Sequence, residues 1–213
     1  MKDYCTTSID KFPHQKIVVS VPAALEFAAR SLLRYFEEEV SHGTTFRADE
    51  TVQIGWMLVM LKSGTQGNLE VWEPDFKTLP VTWIRGATTT CRHLTVQNEV
   101  CRQLGTEPNF PSLRDSAMTS PGLSGSHGFV MFRQAVDGPS SGWNFTDEGQ
   151  TDVAADVCSL FQIALKAPII VPYLALPSGT SVIHSGSSLS ITLEGRTISS
   201  ESNGFLERLL EEW

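Results

Sequence analysis

Apolar residues recur every second position, or in unbroken runs, along some stretches of the chain, and every third or fourth along others. The two periods separate strands from helices. The β-branched run KIVVSV (16–21) predicts a strand. Pro22 suits the first turn of a following helix, with Ser20 as a candidate cap. Leu25, Ala28, Leu32 and Phe36 then recur at helical spacing, Phe27 and Tyr35 widen the stripe, and Gly43 ends it after His42. TVQIGWMLVMLK (51–62) alternates little and reads as one central strand. SGTQG (63–67) makes a hairpin turn, and NLEVWEPDF (68–76) returns as far as Pro74. LPVTWIRG (79–86) predicts a third strand. TTTCRHLTVQNEVCRQLG (88–105) predicts a helix with Cys91, Leu94, Val100, Cys101 and Leu104 on its apolar side and Gly105 as its stop.

Between 106 and 128 the periodicity lapses into Pro, Gly and Ser, and residues 116–126 read as a linker. Beyond it, FVMFRQA (129–135), the turn VDGPSSG (136–142) and WNFT (143–146) predict a hairpin. DVCSLFQIALKA (156–167) predicts a short helix stopped by Pro168, and PIIVPYLALPSG (168–179) a buried, irregular crossing. TSVIHS and SLSITLE flank GSS as a last hairpin, and NGFLERLLEEW (203–213) predicts a C-terminal helix with Phe205, Leu206, Leu209 and Leu210 on one side. The fold class expected is α+β, two small units of antiparallel sheet plus helix packed together, at 1–115 and 127–213. The pairs Gly55-Trp56 and Gly142-Trp143 hint at duplication, but the match beyond the dipeptide is poor.

A hydrophobic fraction of 41% and a charged fraction of 19% are those of a globular protein rather than a disordered one. The net charge of −8 sets nucleic acid and anionic membrane aside as direct partners and is compatible with a basic protein. The charge is uneven: residues 1–115 hold 12 Lys/Arg against 14 Asp/Glu, and residues 116–213 hold 4 against 10. No run approaches the ~20 apolar residues of a membrane span. MKDYCTTSIDKF has no signal-peptide core, and the four cysteines form no CxxC, so a cytoplasmic location with reduced thiols is expected.

A search for reactive constellations returns little. GLSGS (122–126) departs from a nucleophile elbow at its final position and falls in the expected linker. Cys91 and His93 lie about 200° apart on a helix and cannot share an ion, so buried thiols are the better reading. His42, His127 and His184 sit beside glycines or serines and read as surface or turn residues. The acids Asp147, Glu148, Asp152 and Asp156 fail the calcium-loop pattern, because DEGQTDVAADVC lacks its third and fifth ligands. No catalytic residue, metal or cofactor is therefore assigned. A hydrolase assembled from distant residues, such as His93 or His127 with carboxylates, and a non-toxin adaptor stand as rivals.

SSGWNF (140–145), the acidic loop after it, CSL (158–160) and IIVPYLALPSGTSV (169–182) follow in a fixed order. Over about 129–193 the chain resembles the immunity proteins of bacterial polymorphic-toxin and type VI secretion systems, whose pattern is an SGWxF strand, acids, a Ser-Leu helix start and a PYLxxPxGT segment. Gly142, Trp143, Phe145, Pro172, Tyr173, Leu174, Pro177 and Gly179 carry it. GWMLVML (55–61), LEVWEPDF (69–76) and TTTCRHLTVQNEVC (88–101) resemble the companion domain that precedes it in longer members. The resemblance implies a stoichiometric inhibitor of a cognate toxin, without catalysis or cofactor. Many such toxins are nucleases with basic sites, which carboxylates can fill as phosphate mimics. On that physical ground Asp147, Glu148, Asp152, Asp156, Glu37 and Glu38 are the expected toxin-binding residues, with Trp143 and Phe145 holding the strand from the core.

Overall fold

In the computed structural model, which describes residues 1–121, 123, 128–149 and 156–212, contacts divide the chain into Met1–Thr95 and Val96–Trp213. Each is an α+β unit built on one sheet. The division falls within a helix rather than near residue 115, and part of the expected linker, Ser116–Thr119, is a strand.

The N-terminal sheet has strands β1 (Lys2–Cys5), β2 (Ile17–Val21), β3 (Thr51–Ile54), β4 (Met57–Ser63), β5 (Leu69–Pro74) and β6 (Trp83–Arg85). Their order is β1-β2-β5-β4-β3, with β6 also on β5. Every residue of β2 is buried, as its unbroken β-branched run demands. Helix α1 (Glu26–Ser41) follows and lets β5 return parallel to β2, so this sheet is mixed rather than purely antiparallel. The buried face of α1 is Ala29, Leu32, Leu33, Phe36 and Val40. The stripe is rotated from the expected one: Phe27 lies on the opposite side and is 85% exposed.

Residues 51–62 form two strands, not one. Gly55, at φ 59, supplies the positive φ of a two-residue turn, and Ile54 pairs with Met57 across it. Trp56 folds back inside, fully buried, and its Nε1–H donates to Nδ1 of His93 at 3.2 Å. Phe76 closes the cluster, 5.9 Å from Trp56 and 5.6 Å from His93. Helix α2 (Thr88–Leu104) starts where the buried Glu73 carboxylate accepts from the N–H groups of Thr89 (2.9 Å) and Thr90 (2.7 Å). Burial pushes that carboxyl above its ordinary value, and these donors pull it back.

The C-terminal sheet has β7 (Ser116–Thr119), β8 (Gly128–Arg133), β9 (Ser140–Asp147), β10 (Asp156–Ser159), β11 (Ser181–Ser185), β12 (Ser188–Leu193) and β13 (Arg196–Ser199). Their order is β10-β7-β9-β8-β11-β12-β13, antiparallel except for β7 with β9. On one face Phe129, Met131, Trp143, Phe145, Val182, Leu189 and Ile191 are buried. Helix α3 (Leu160–Lys166) packs on β10 and β7, and α4 (Gly204–Glu212) on β12. Residues 156–167 are not one helix. Ser159 and Gln162 form a reciprocal capping box that fixes the start of α3 at Leu160 and leaves 156–159 to pair with β7. Among the described residues no helix is long and apolar enough to cross a membrane.

The His93 imidazole is held down to about 3, chiefly by burial, with Arg92 adding to the effect. A folded value below the ordinary 6.5 contributes stability that is complete above pH 6.5 and lost as pH falls toward 3. The predicted outcome is that the melting-temperature gap between wild type and His93→Gln narrows as pH falls through that window. A gap independent of pH contradicts the assignment.

Candidate functional site

Residues 168–176 cannot satisfy their own backbone in regular structure, because Pro168 and Pro172 interrupt it. They form a buried 3₁₀ segment, Pro168–Tyr173, followed by Leu174, Ala175 and Leu176, which are fully buried. Their carbonyls are taken up by donors from elsewhere in the unit. Gln97 Nε2 donates to Val171 O at 2.8 Å, and Trp143 Nε1 to Leu174 O at 3.0 Å. The Asn109 N–H donates to Ala175 O at 2.7 Å, and Arg133 Nη1 to Leu176 O at 2.6 Å.

Arg133 is the hub. Its side chain is buried, and the guanidinium also reaches Asn109 O (2.6 Å) and Ser141 O (3.0 Å) while lying over the Trp143 ring at 5.7 Å. Its backbone is clamped as well: its N–H donates to Thr180 O at 2.9 Å, and Gly179 N–H donates to Arg133 O at 2.7 Å. Burial pushes the guanidinium down to about 10, with Asp115 opposing, so it stays charged at neutral pH. Gly142 completes the arrangement. At φ 76 its backbone runs so close to the residue that follows β8 that a Cβ would lie 2.2 Å from Gln134 O.

The segments carrying Gly142, Trp143, Phe145, Pro172, Tyr173, Leu174, Pro177 and Gly179 thus meet around one buried guanidinium. Trp143 and Phe145 are 1% and 2% exposed, and both face the core. Asp147 continues the same phase two residues on, at the end of β9, opposite Phe129. Its N–H donates to Ser120 Oγ at 3.3 Å. Glu148 follows, exposed, with its N–H on Gly128 O at 3.1 Å and its carboxylate against Gly128, where a Cβ would lie 2.6 Å from Oε2.

Asp156 opens β10 opposite Thr119, and Thr119 pairs in parallel with Phe145. Asp147, Glu148 and Asp156 therefore share one end of the C-terminal sheet. Asp156 also lines a shallow depression with Cys158, Gln162 and Lys166. Of the other expected residues, Asp152 lies outside the described residues. Glu37 and Glu38 belong to the N-terminal unit. Glu38 is exposed, whereas Glu37 accepts from the backbone of Thr7 and Ser8. Burial alone would raise its carboxyl, and those donors hold it below its ordinary value.

His42 is exposed at the C-terminal end of α1, as expected, whereas His184 departs from expectation. His184 is not a surface residue: it sits in β11, 9% exposed and stacked on Phe129 at 5.2 Å. Burial lowers its pKa and the Glu148 charge opposes that. His93 packs against the rings of Trp56 and Phe76, and His127 lies outside the described residues. Among the described residues no group of three or more His, Cys, Asp or Glu could hold a metal ion.

Arg133→Lys is predicted to lower stability by at least about 3 kcal/mol, since an ammonium cannot reach several divergent carbonyls and each orphaned buried acceptor costs about 1–3 kcal/mol. Urea denaturation measures it, and a loss under 1 kcal/mol would contradict the role given to this residue.

No curated protein and no solved structure matches the chain. One family model does, and its match begins at the first residue of the C-terminal unit and ends within β12. Residues 96–191 match the Imm33-like domain, so over that stretch the chain is similar to an immunity-protein family.

Proposed function

We propose that this chain is an immunity protein that binds a cognate protein toxin and neutralises it stoichiometrically, without catalysis of its own. The observation that carries the reading is the convergence of Asp147, Glu148 and Asp156 at one end of the sheet in the unit that bears the immunity-family match. That unit holds 6 Lys/Arg against 13 Asp/Glu, a net of −7 within the chain's −8. The toxin class that fits best is a nuclease, whose substrate site must be positive to hold phosphates. Carboxylates presented from a rigid strand end meet such a site without a large ordering cost, and the opposed charges steer encounter toward ~10⁸–10⁹ M⁻¹s⁻¹ at low salt.

The reading is tested in cells and in solution. Co-expression with the product of the adjacent gene should restore growth that the product alone abolishes, and the two chains should co-purify. In solution, the triple reversal Asp147→Lys, Glu148→Lys, Asp156→Lys should weaken binding about 10–100-fold and flatten its salt dependence, with the melting temperature kept. Calorimetry showing an affinity unchanged by the reversal would remove these carboxylates from the interface. A failure of rescue by the wild-type chain would remove the function.

A further inference from the structure

The C-terminal sheet has a second face, and its composition is unusual for a solvent-facing sheet. Register places Val157, Met118, Asn144 and Phe132 side by side across β10, β7, β9 and β8. Ser181, Thr192 and Thr197 extend the same row across β11, β12 and β13. A neighbouring row runs Thr146, Val130, Ile183, Ser190 and Ser199. No Lys, Arg, Asp or Glu stands in either row. Val157 is 70% exposed, Met118 and Ile183 45% each, and Phe132 40%. An antiparallel sheet with one face on the core ordinarily turns charged and polar residues to water on the other. Here that face presents apolar side chains among hydroxyls and one carboxamide. Absence of charge with Phe and Met at the centre is the composition of an interface core rather than of a solvated surface.

The rim identifies what covers it. Glu148, exposed and in phase with Asn144 and Thr146, stands at the end of the strand beside this face, and Asp147 and Asp156, in the phase of Phe145 and Thr119, lie at the same end of the sheet. The unit as a whole has a net charge of −7. A second copy of the chain would bring another −8 against this rim, and an anionic membrane would be repelled in the same way. A protein surface with an apolar centre and Lys/Arg at its edge is attracted by the rim and buries the apolar rows.

We infer that the outer face of the C-terminal sheet, centred on Met118, Phe132 and Ile183, is the docking surface for a cationic protein. The inference rests on the proposed function, in which that protein is the toxin, and adds to it where affinity resides. The acids guide approach, and the uncharged rows hold the complex by excluding water.

The test uses the full chain and the product of the adjacent gene, inactivated in its catalytic centre. Phe132→Ser and Ile183→Ser each remove an apolar contact without changing charge. Each should weaken binding at least about tenfold, mostly through faster dissociation, with the melting temperature within a few degrees of wild type. Ser190→Lys should weaken binding more than Ser190→Glu, and the difference should shrink as salt rises, which reports the sign of the partner's charge without relying on a truncation. Wild-type binding that all four variants reproduce overturns the assignment and leaves the immunity function standing. Absence of wild-type binding overturns both. Sedimentation velocity supplies the remaining arm: the chain alone should be monomeric, and a dimer that Phe132→Ser dissociates would give this face to a second copy.

Discussion

The C-terminal unit depends on one buried cation. A segment interrupted by prolines crosses its interior and leaves carbonyls that no helix or strand satisfies, and the Arg133 guanidinium, with Trp143, Asn109 and Gln97, supplies the donors. A planar group with five N–H bonds suits divergent oxygens in a way that no other side chain does. Among the described residues no carboxylate forms an ion pair with it, and Asp115 acts on it only at a distance. The charge is spread over carbonyl dipoles and the face of Trp143, which compensates part of the desolvation cost. The roles of Gly142, Trp143 and Gly179 are legible as chemistry from this point. Gly142 permits the strand approach, Trp143 donates to the crossing segment, and Gly179 and Thr180 hold the arginine backbone.

That node links structure to the proposed function through a single strand. β9 is anchored at Trp143 and Phe145, so Asp147, in phase with them, and Glu148, the next residue and in the opposite phase, emerge at a defined position beside Asp156. Carboxylates fixed by a packed strand lose little freedom when they meet a partner, whereas the same residues on a free loop would have to be ordered on binding. The opposite face of the same strand carries Asn144 and Thr146 into the uncharged rows. One strand thus serves the core, the acidic end and the outer face, because side chains alternate along it.

Much of this was legible in the sequence, and the failures have physical causes. The strands at 16–21 and 143–146, the helices at 88–105 and 203–213 and the buried crossing at 168–179 follow from period and turn chemistry alone. The hairpin at Gly55-Trp56 was hidden because both of its strands are apolar, so the run reads as continuous and only Gly55's backbone reveals the turn. β1 and β13 are short, largely exposed edge strands without alternation strong enough to signal them. The Ser159…Gln162 capping box stands in the sequence as S-x-x-Q and would have separated β10 from α3. Arg133 was legible in principle: Phe129, Met131 and Arg133 share one phase, which places the arginine inside. Its partners, 24 to 43 residues away in sequence for Asn109, Leu174 and Leu176, were not. The acids could be picked out as a cluster, but their gathering at one sheet end needs the parallel register of β7 with β9, which no local pattern encodes.

Hydrogen exchange of the full chain, free and bound to the inactivated product of the adjacent gene, tests the central claim most directly, because it locates the partner without altering any residue. The account predicts new protection in the C-terminal unit, at β7, at the end of β9 and in β10, with the amides of Met1–Thr95 unchanged. Protection confined to the N-terminal unit, with the C-terminal sheet exchanging as in the free chain, would contradict it.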